Sequence, residues 1–213
     1  MSFSQREYEA AARTYRENWE ATDAILYGMC RQYPDHRTRT GVNAKLLIIG
    51  RSYASGIERQ IRSDRRQSSS INQLADHFWK NRMKVDAVLL ELRDVREPLN
   101  IEHLCRILSA HGRLLRLVEK VARPDRTPRS FVSKYLHFHC PAVPIIDSFS
   151  VVGLKRLYPR MSNLTVLAGT GDEHYRRFLR VFWLLYEDAQ ASGAKITVKQ
   201  LDRCLLAAAQ EGR

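Results

Sequence analysis

Apolar residues recur along much of this chain at intervals of three and four, the spacing that lays one apolar stripe along a helix. Tyr8, Ala11, Tyr15, Trp19, Ile25 and Leu26 follow it, and with Pro34 as a stop they predict a long helix over residues 4–33. The next stripes fall in residues 71–81 and 84–95, with Leu74, Phe78, Val88, Leu89 and Leu92 facing inward. Residues 101–122 carry Leu104, Leu108, Leu115, Leu117 and Val121 and are closed by Pro124. A short helix is predicted from Arg129 to Cys140, ended by Pro141, and residues 142–146 are predicted to be extended because Pro144 biases Val143 away from helical geometry. Asp147 or Ser148 then caps a helix to about Leu157. Asp172 opens another, with Tyr175, Phe178, Phe182 and Trp183 as its core stripe, and residues 197–210 form the last.

The intervening stretches are less patterned. Residues 35–43 read as a polar, Arg-bearing loop, and residues 46–49 as an apolar run too short to assign to helix or strand. Residues 50–59 read as a turn entering a helix, and residues 62–70 as a basic, serine-rich linker or DNA-facing loop. No alternation of period two supports a hairpin. The expected class is therefore all-α: one compact unit with two helical lobes around a cleft, residues 1–100 forming the N-terminal part and residues 101–213 the C-terminal part.

Composition narrows the partners. With 44% hydrophobic and 27% charged residues over 213 positions, the chain can bury a substantial core. Lys and Arg number 35 against 23 Asp and Glu, a net charge of +12 that favours a polyanion, since each neutralised phosphate releases counterions. Double-stranded DNA is the expected partner. Cys30, Cys105, Cys140 and Cys204 are scattered without a Cys-x-x-Cys pair, which predicts reduced thiols in a reducing compartment, no metal cluster and no cofactor. No stretch approaches the roughly 18 apolar residues of a membrane span, and the N-terminus is charged where a signal peptide needs an apolar core. A cytoplasmic monomer is the expectation.

The stretch from Ser130 to Ser148, S-F-V-S-K-Y-L-H-F-H-C-P-A-V-P-I-I-D-S, concentrates the chemistry. Lys134 and His137 lie three apart, so both project from one side of the short helix. Its aromatic neighbours partly desolvate Lys134 and favour the neutral amine, the form that acts as a nucleophile. Asp147 follows Lys134 by thirteen residues, after an extended return and at a helix start, so a folded loop can bring the two together. A phosphate-binding or solvent-seeking lysine and a plain N-cap are the structural alternatives.

The run V-S-K-Y-L-H-F followed by I-I-D resembles the lysine-bearing helix and downstream aspartate of helix-hairpin-helix DNA glycosylases, and is most similar to small bacterial proteins with an 8-oxoguanine-glycosylase fold. The resemblance covers about twenty residues, from Ser130 to about Val151. It implies that Lys134 is the Schiff-base lysine and Asp147 the catalytic aspartate of an enzyme that excises a modified base from DNA, with strand cleavage as a further step. The implied substrate is either a hypermodified phage base such as glucosylated hydroxymethylcytosine, making the protein an anti-phage defence enzyme, or an oxidised purine. Where the family carries a Gly-x-Gly hairpin, this chain has Pro-Asp-Arg-Thr-Pro-Arg, so Arg126 and Arg129 are expected to hold phosphate by charge.

His137 is a candidate contact to the target sugar or phosphate. A second candidate patch combines Arg51, Tyr53 and Glu58, with the alternative that Ser52 or Ser55 caps a helix and Glu58 pairs with Arg62. Arg59, Arg65 and Arg66 complete the expected phosphate contacts. Two other readings compete: a non-enzymatic basic helical module binding DNA or RNA, and a nucleotide-processing enzyme built on Arg51, Tyr53 and Glu58.

Overall fold

The computed structural model of the chain describes residues 13, 17, 19–52, 55–62, 69–158, 167–191, 193 and 196–210. These residues form an all-α fold, in which the one extended pairing is an antiparallel bridge between Ile61 and Ala122. In chain order the helices are α1 (Glu20–Gln32), α2 (Arg39–Ser52), α3 (Ile57–Gln60), α4 (Ser70–Lys80), α5 (Arg82–Glu91), α6 (Ile101–Glu119), α7 (Arg129–His139), α8 (Ser148–Leu157), α9 (Glu173–Ala191) and α10 (Val198–Gln210). The N-terminal stripe of Tyr8, Ala11 and Tyr15 lies outside the described residues.

Two expectations need correcting. Residues 35–43 are not all loop: α2 begins at Arg39, because Thr38 Oγ1 accepts the N–H of Gly41 at 3.1 Å and Thr38 O accepts that of Val42. The short apolar run at 46–49 belongs to the same helix, since Val42, Leu46 and Ile49 make one buried stripe at helical spacing. The turn expected at Gly50 comes later. Gly50 is helical and admits the Ile57 side chain, which would lie 2.9 Å from an added Cβ, while Gly56 makes the turn with φ +66°.

Helix α7 is the centre of the molecule. Every residue from Phe131 to Phe138 is buried, so α7 has no solvent face. It packs against α1, α2 and α6. Tyr135 anchors one side, its ring edge-on to Phe78 at 5.4 Å and its hydroxyl bonded to His36 Nε2. Helices α8 and α10 pack more closely than most pairs. Gly153 makes this possible, because a Cβ there would overlap the backbone carbonyl of Leu205 on α10. The N- and C-terminal parts are tied together through α1 and α10, where Arg203 Nη2 donates to Asp23 Oδ2 at 2.8 Å. The core stripe Tyr175, Phe178, Phe182 and Trp183 on α9 is buried as its spacing requires.

Candidate active site

The site is assembled by the return from α7 to α8. Residues 142–146 are buried without regular structure, so their backbone groups need side-chain partners. Three residues supply them. His137 Nδ1 donates to Val143 O at 2.7 Å, the Tyr175 hydroxyl donates to Pro144 O at 2.7 Å, and Ser133 Oγ accepts the N–H of Ile146 at 3.2 Å. This clamps the segment directly ahead of Asp147.

Asp147 then divides its carboxylate between two tasks. Oδ1 accepts the N–H of Ser150 at 2.9 Å, while Ser150 Oγ accepts the N–H of Asp147 at 2.8 Å, a reciprocal capping box at the start of α8. Oδ2 lies 3.0 Å from Lys134 Nζ. The two residues expected to meet do meet. Asp147 is the more open member, its side chain 19% exposed against 5% for Lys134.

Beside this pair lies a group of buried charges that reading the letters did not single out. Lys199 Nζ is 3.0 Å from Asp23 Oδ2 and 3.8 Å from Asp202 Oδ2, and Arg203 closes on the same Asp23 oxygen. Burial pushes the Asp202 carboxyl up, against the pull of Lys199 and Arg203, and the charges of Asp147 and Lys134 act on it too. Burial likewise lowers the Lys199 ammonium. A signal was present: Lys199, Asp202 and Arg203 sit at i, i+3 and i+4 on the apolar side of α10, where unpaired charge would be costly.

The remaining predicted residues scatter. His137 is fully buried, with Nδ1 held by Val143 O and Nε2 accepting the Tyr27 hydroxyl, so both nitrogens serve the core. Burial, then the nearby Lys199 charge, holds it neutral and well below the usual histidine range. Arg51 and Glu58 pair with each other at 2.9 Å on the surface; Glu58 does not take Arg62, whose Nε instead donates to Ala122 O at 2.8 Å. Neither serine of that patch caps a helix: Ser52 ends α2, and Ser55 Oγ donates to Gly50 O at 2.9 Å. Arg59 is exposed, and Arg126 is exposed with Asp125 Oδ2 3.2 Å from its Nε. Arg129 is held by Asp172 at 2.6 Å and is only 29% exposed. Tyr53, Arg65 and Arg66 lie outside the described residues.

A second lysine invites the same chemistry and fails it. Lys45 is fully buried, and desolvation lowers it to about 8. Its three donors are matched by Tyr33 O and Asp35 O at 3.0 Å and His139 Nε2 at 3.5 Å, which leaves no face for a substrate. It braces the turn between α1 and α2.

A cavity of about 1230 Å³ opens between α1, α5 and the C-terminal end of α7, and neither Lys134 nor Asp147 lines it. Among the described residues no group of three or more His, Cys, Asp or Glu side chains could hold a metal, and no helix is long and apolar enough to cross a membrane. All four cysteines are free thiols. No protein-family model, curated protein or solved structure matches this chain.

Chemically, the Lys134–Asp147 contact sets an amine directly beside a carboxylate. The carboxylate is on the accessible side.

Proposed function

We propose that the protein is a DNA glycosylase acting on double-stranded DNA in the cytoplasm, with Asp147 and Lys134 as its reactive pair. The observation that carries this reading is the 3.0 Å contact between residues thirteen apart, formed by a clamped return segment. The target nucleotide swings out of the duplex, at an unstacking cost of a few kcal/mol. As the C1′–N bond breaks, the sugar gains positive character that the ionised Asp147 stabilises. Water then completes base release. In the lyase branch Lys134 instead attacks C1′ after passing a proton to Asp147, and the resulting imine permits β-elimination of the 3′ phosphate. Base release precedes strand cleavage, because the imine forms at the C1′ that the base has left. The basic surface, net charge +12, steers the duplex to the site. The substrate classes that fit are a hypermodified phage base, which would make this a defence enzyme, and an oxidised purine.

The test is borohydride trapping on duplexes carrying an abasic site or a modified base. Wild-type protein gives a covalent adduct that Lys134→Ala loses, and Asp147→Asn abolishes base release with DNA affinity retained. Excision by Asp147→Asn at the wild-type rate would overturn the assignment. A second reading, a non-enzymatic basic module that grips DNA or RNA, is favoured by one observation: Lys134 is 4% exposed, so the pair also fits a purely structural ion pair. On that reading Lys134→Ala changes stability alone.

A further inference from the structure

Three histidines join α7 to the α1–α2 hairpin, and each has its basic nitrogen filled by a donor. His36, in the turn between α1 and α2, donates from Nδ1 to Asp86 Oδ1 at 2.6 Å, so its Nε2 carries the lone pair that receives the Tyr135 hydroxyl of α7. His137 of α7 donates from Nδ1 to Val143 O at 2.7 Å, and its Nε2 receives the Tyr27 hydroxyl of α1. His139 of α7 turns Nε2 to Lys45 Nζ of α2 at 3.5 Å, and an ammonium group only donates. All three bonds cross one interface, and all three require a neutral ring.

An added proton has no place in these contacts. On His36 or His137 it would set two hydrogens against each other opposite a tyrosine, and on His139 it would set a cation against Lys45. Burial pushes the Tyr135 hydroxyl well above the usual tyrosine range, so it does not give way by ionising. Burial, then the Lys45 charge, lowers His36 to about 4, and burial holds His137 and His139 well below the usual histidine range. The charged groups facing the rings are Lys45, Asp35 and Asp86 at His36, Lys45 at His139, and Lys199 and Arg203 at His137. The acids stand at His36 alone. Stability from these bonds is therefore complete above 6.5 and is lost as pH falls from there toward about 4. Tyr27, Asp86 and His139 line the cavity, which gives protons a route to within one bond of each ring.

We propose that the contact between the α1–α2 hairpin and α7 is an acid-operated latch, closed while the three histidines are neutral and opened when they take up protons together. Helix α7 also carries Lys134, so opening removes the backing of the Lys134–Asp147 contact. The inference needs only this packing and stands whether or not that pair reacts.

Hydrogen–deuterium exchange of the full chain, read by mass spectrometry and corrected for intrinsic rates, tests it between 6.5 and about 4. Peptides covering 20–52 and 129–139 lose protection in step, by at least about a hundredfold per pH unit, since uptake of a single proton gives only about tenfold. Peptides covering 173–191, held by the His111–Tyr175 stack outside this interface, stay protected at the same pH. Nitrogen NMR shows His36 and His137 as neutral rings with the hydrogen on Nδ1 until that protection is lost. His139→Gln keeps an acceptor for Lys45 at a half-buried position and removes one titrating ring, so its protection falls about tenfold less steeply per pH unit. Should that variant fail to fold, the wild-type measurements decide alone. Titration of any of the three rings near 6.5 with the interface still protected overturns the proposal. So does loss of α9 protection at the same pH, which marks general acid unfolding, or full protection of both segments at the acid limit.

Discussion

The hydroxyl of Ser133 and the backbone N–H of Ile146 meet at 3.2 Å, one residue ahead of Lys134 on α7 and one residue ahead of Asp147 at α8. This single bond registers the two segments that carry the reactive pair. Both groups are buried, so the N–H has no water to replace the hydroxyl. Ser133→Ala is expected to cost about 1–3 kcal/mol of stability, the penalty for a buried donor left unpaired. Urea unfolding measures it, and a loss below about 0.5 kcal/mol, the scale of a neutral surface change, would show that His137 and Tyr175 suffice to hold the return segment.

Asp147 caps α8 and faces Lys134 with different oxygens, so the two roles separate by substitution. Asn caps as well as Asp, whereas Ala does not. Asp147→Asn should therefore keep most of the cap while removing the charge, and Asp147→Ala should lose about 1 kcal/mol more. Base release should vanish in both. Equal stability of the two variants would show that the cap contributes nothing here.

Gly153 lets α8 lie directly on the α10 backbone at Leu205. A methyl group there meets a carbonyl rather than a yielding side chain, so the helices must move apart. Gly153→Ala is expected to destabilise by about 3 kcal/mol or more, at the upper end for overpacking. A thermal midpoint equal to wild type would mean that α8 is free to shift.

His111 is stacked on Tyr175 at 3.9 Å, its Nε2 faces Arg129 O, and its Nδ1 has no hydrogen-bond partner among the described residues. Burial lowers it to about 4 from the usual 6.5. Between those values the unfolded chain binds the extra proton, so stability rises with pH there and is lost on acidification through the same window. His111→Phe keeps the stacked ring without the titration. It should reduce the slope of unfolding free energy against pH by up to about 1.4 kcal/mol per unit. Urea midpoints measured across this range with an unchanged slope would contradict it.

Arg126 and Arg129 flank the same loop yet differ in freedom, Arg126 exposed beside an exposed Asp125 and Arg129 held by Asp172. If the loop meets DNA as proposed, Arg126→Ala lowers affinity and reduces the slope of log affinity against log salt by about 0.9, one phosphate contact. Arg129→Ala acts first on stability, because Asp172, lowered by its bonds to Arg129 and Tyr175 N–H, loses its main partner. Salt-dependent binding isotherms and urea melts distinguish the two; identical salt slopes for wild type and Arg126→Ala would exclude Arg126 as a phosphate contact.

The letters alone determined the helical class, the stops at prolines and the capped start of α8, because these depend on local spacing and side-chain chemistry. Cap and stop act over a single turn. They also put Lys134 and Asp147 forward, since an amine in an aromatic helix and an acid at a helix start are visible without coordinates. Tertiary structure alone decided what lies opposite each group. It buried His137 between Val143 and Tyr27, occupied Arg129 with Asp172, and drew Asp23, Lys199, Asp202 and Arg203 into one cluster from opposite ends of the chain. It also opened a cavity away from the reactive pair. The reason is physical: periodicity says which face of a helix is apolar, but a charge or a ring acquires its role from partners that only long-range packing supplies.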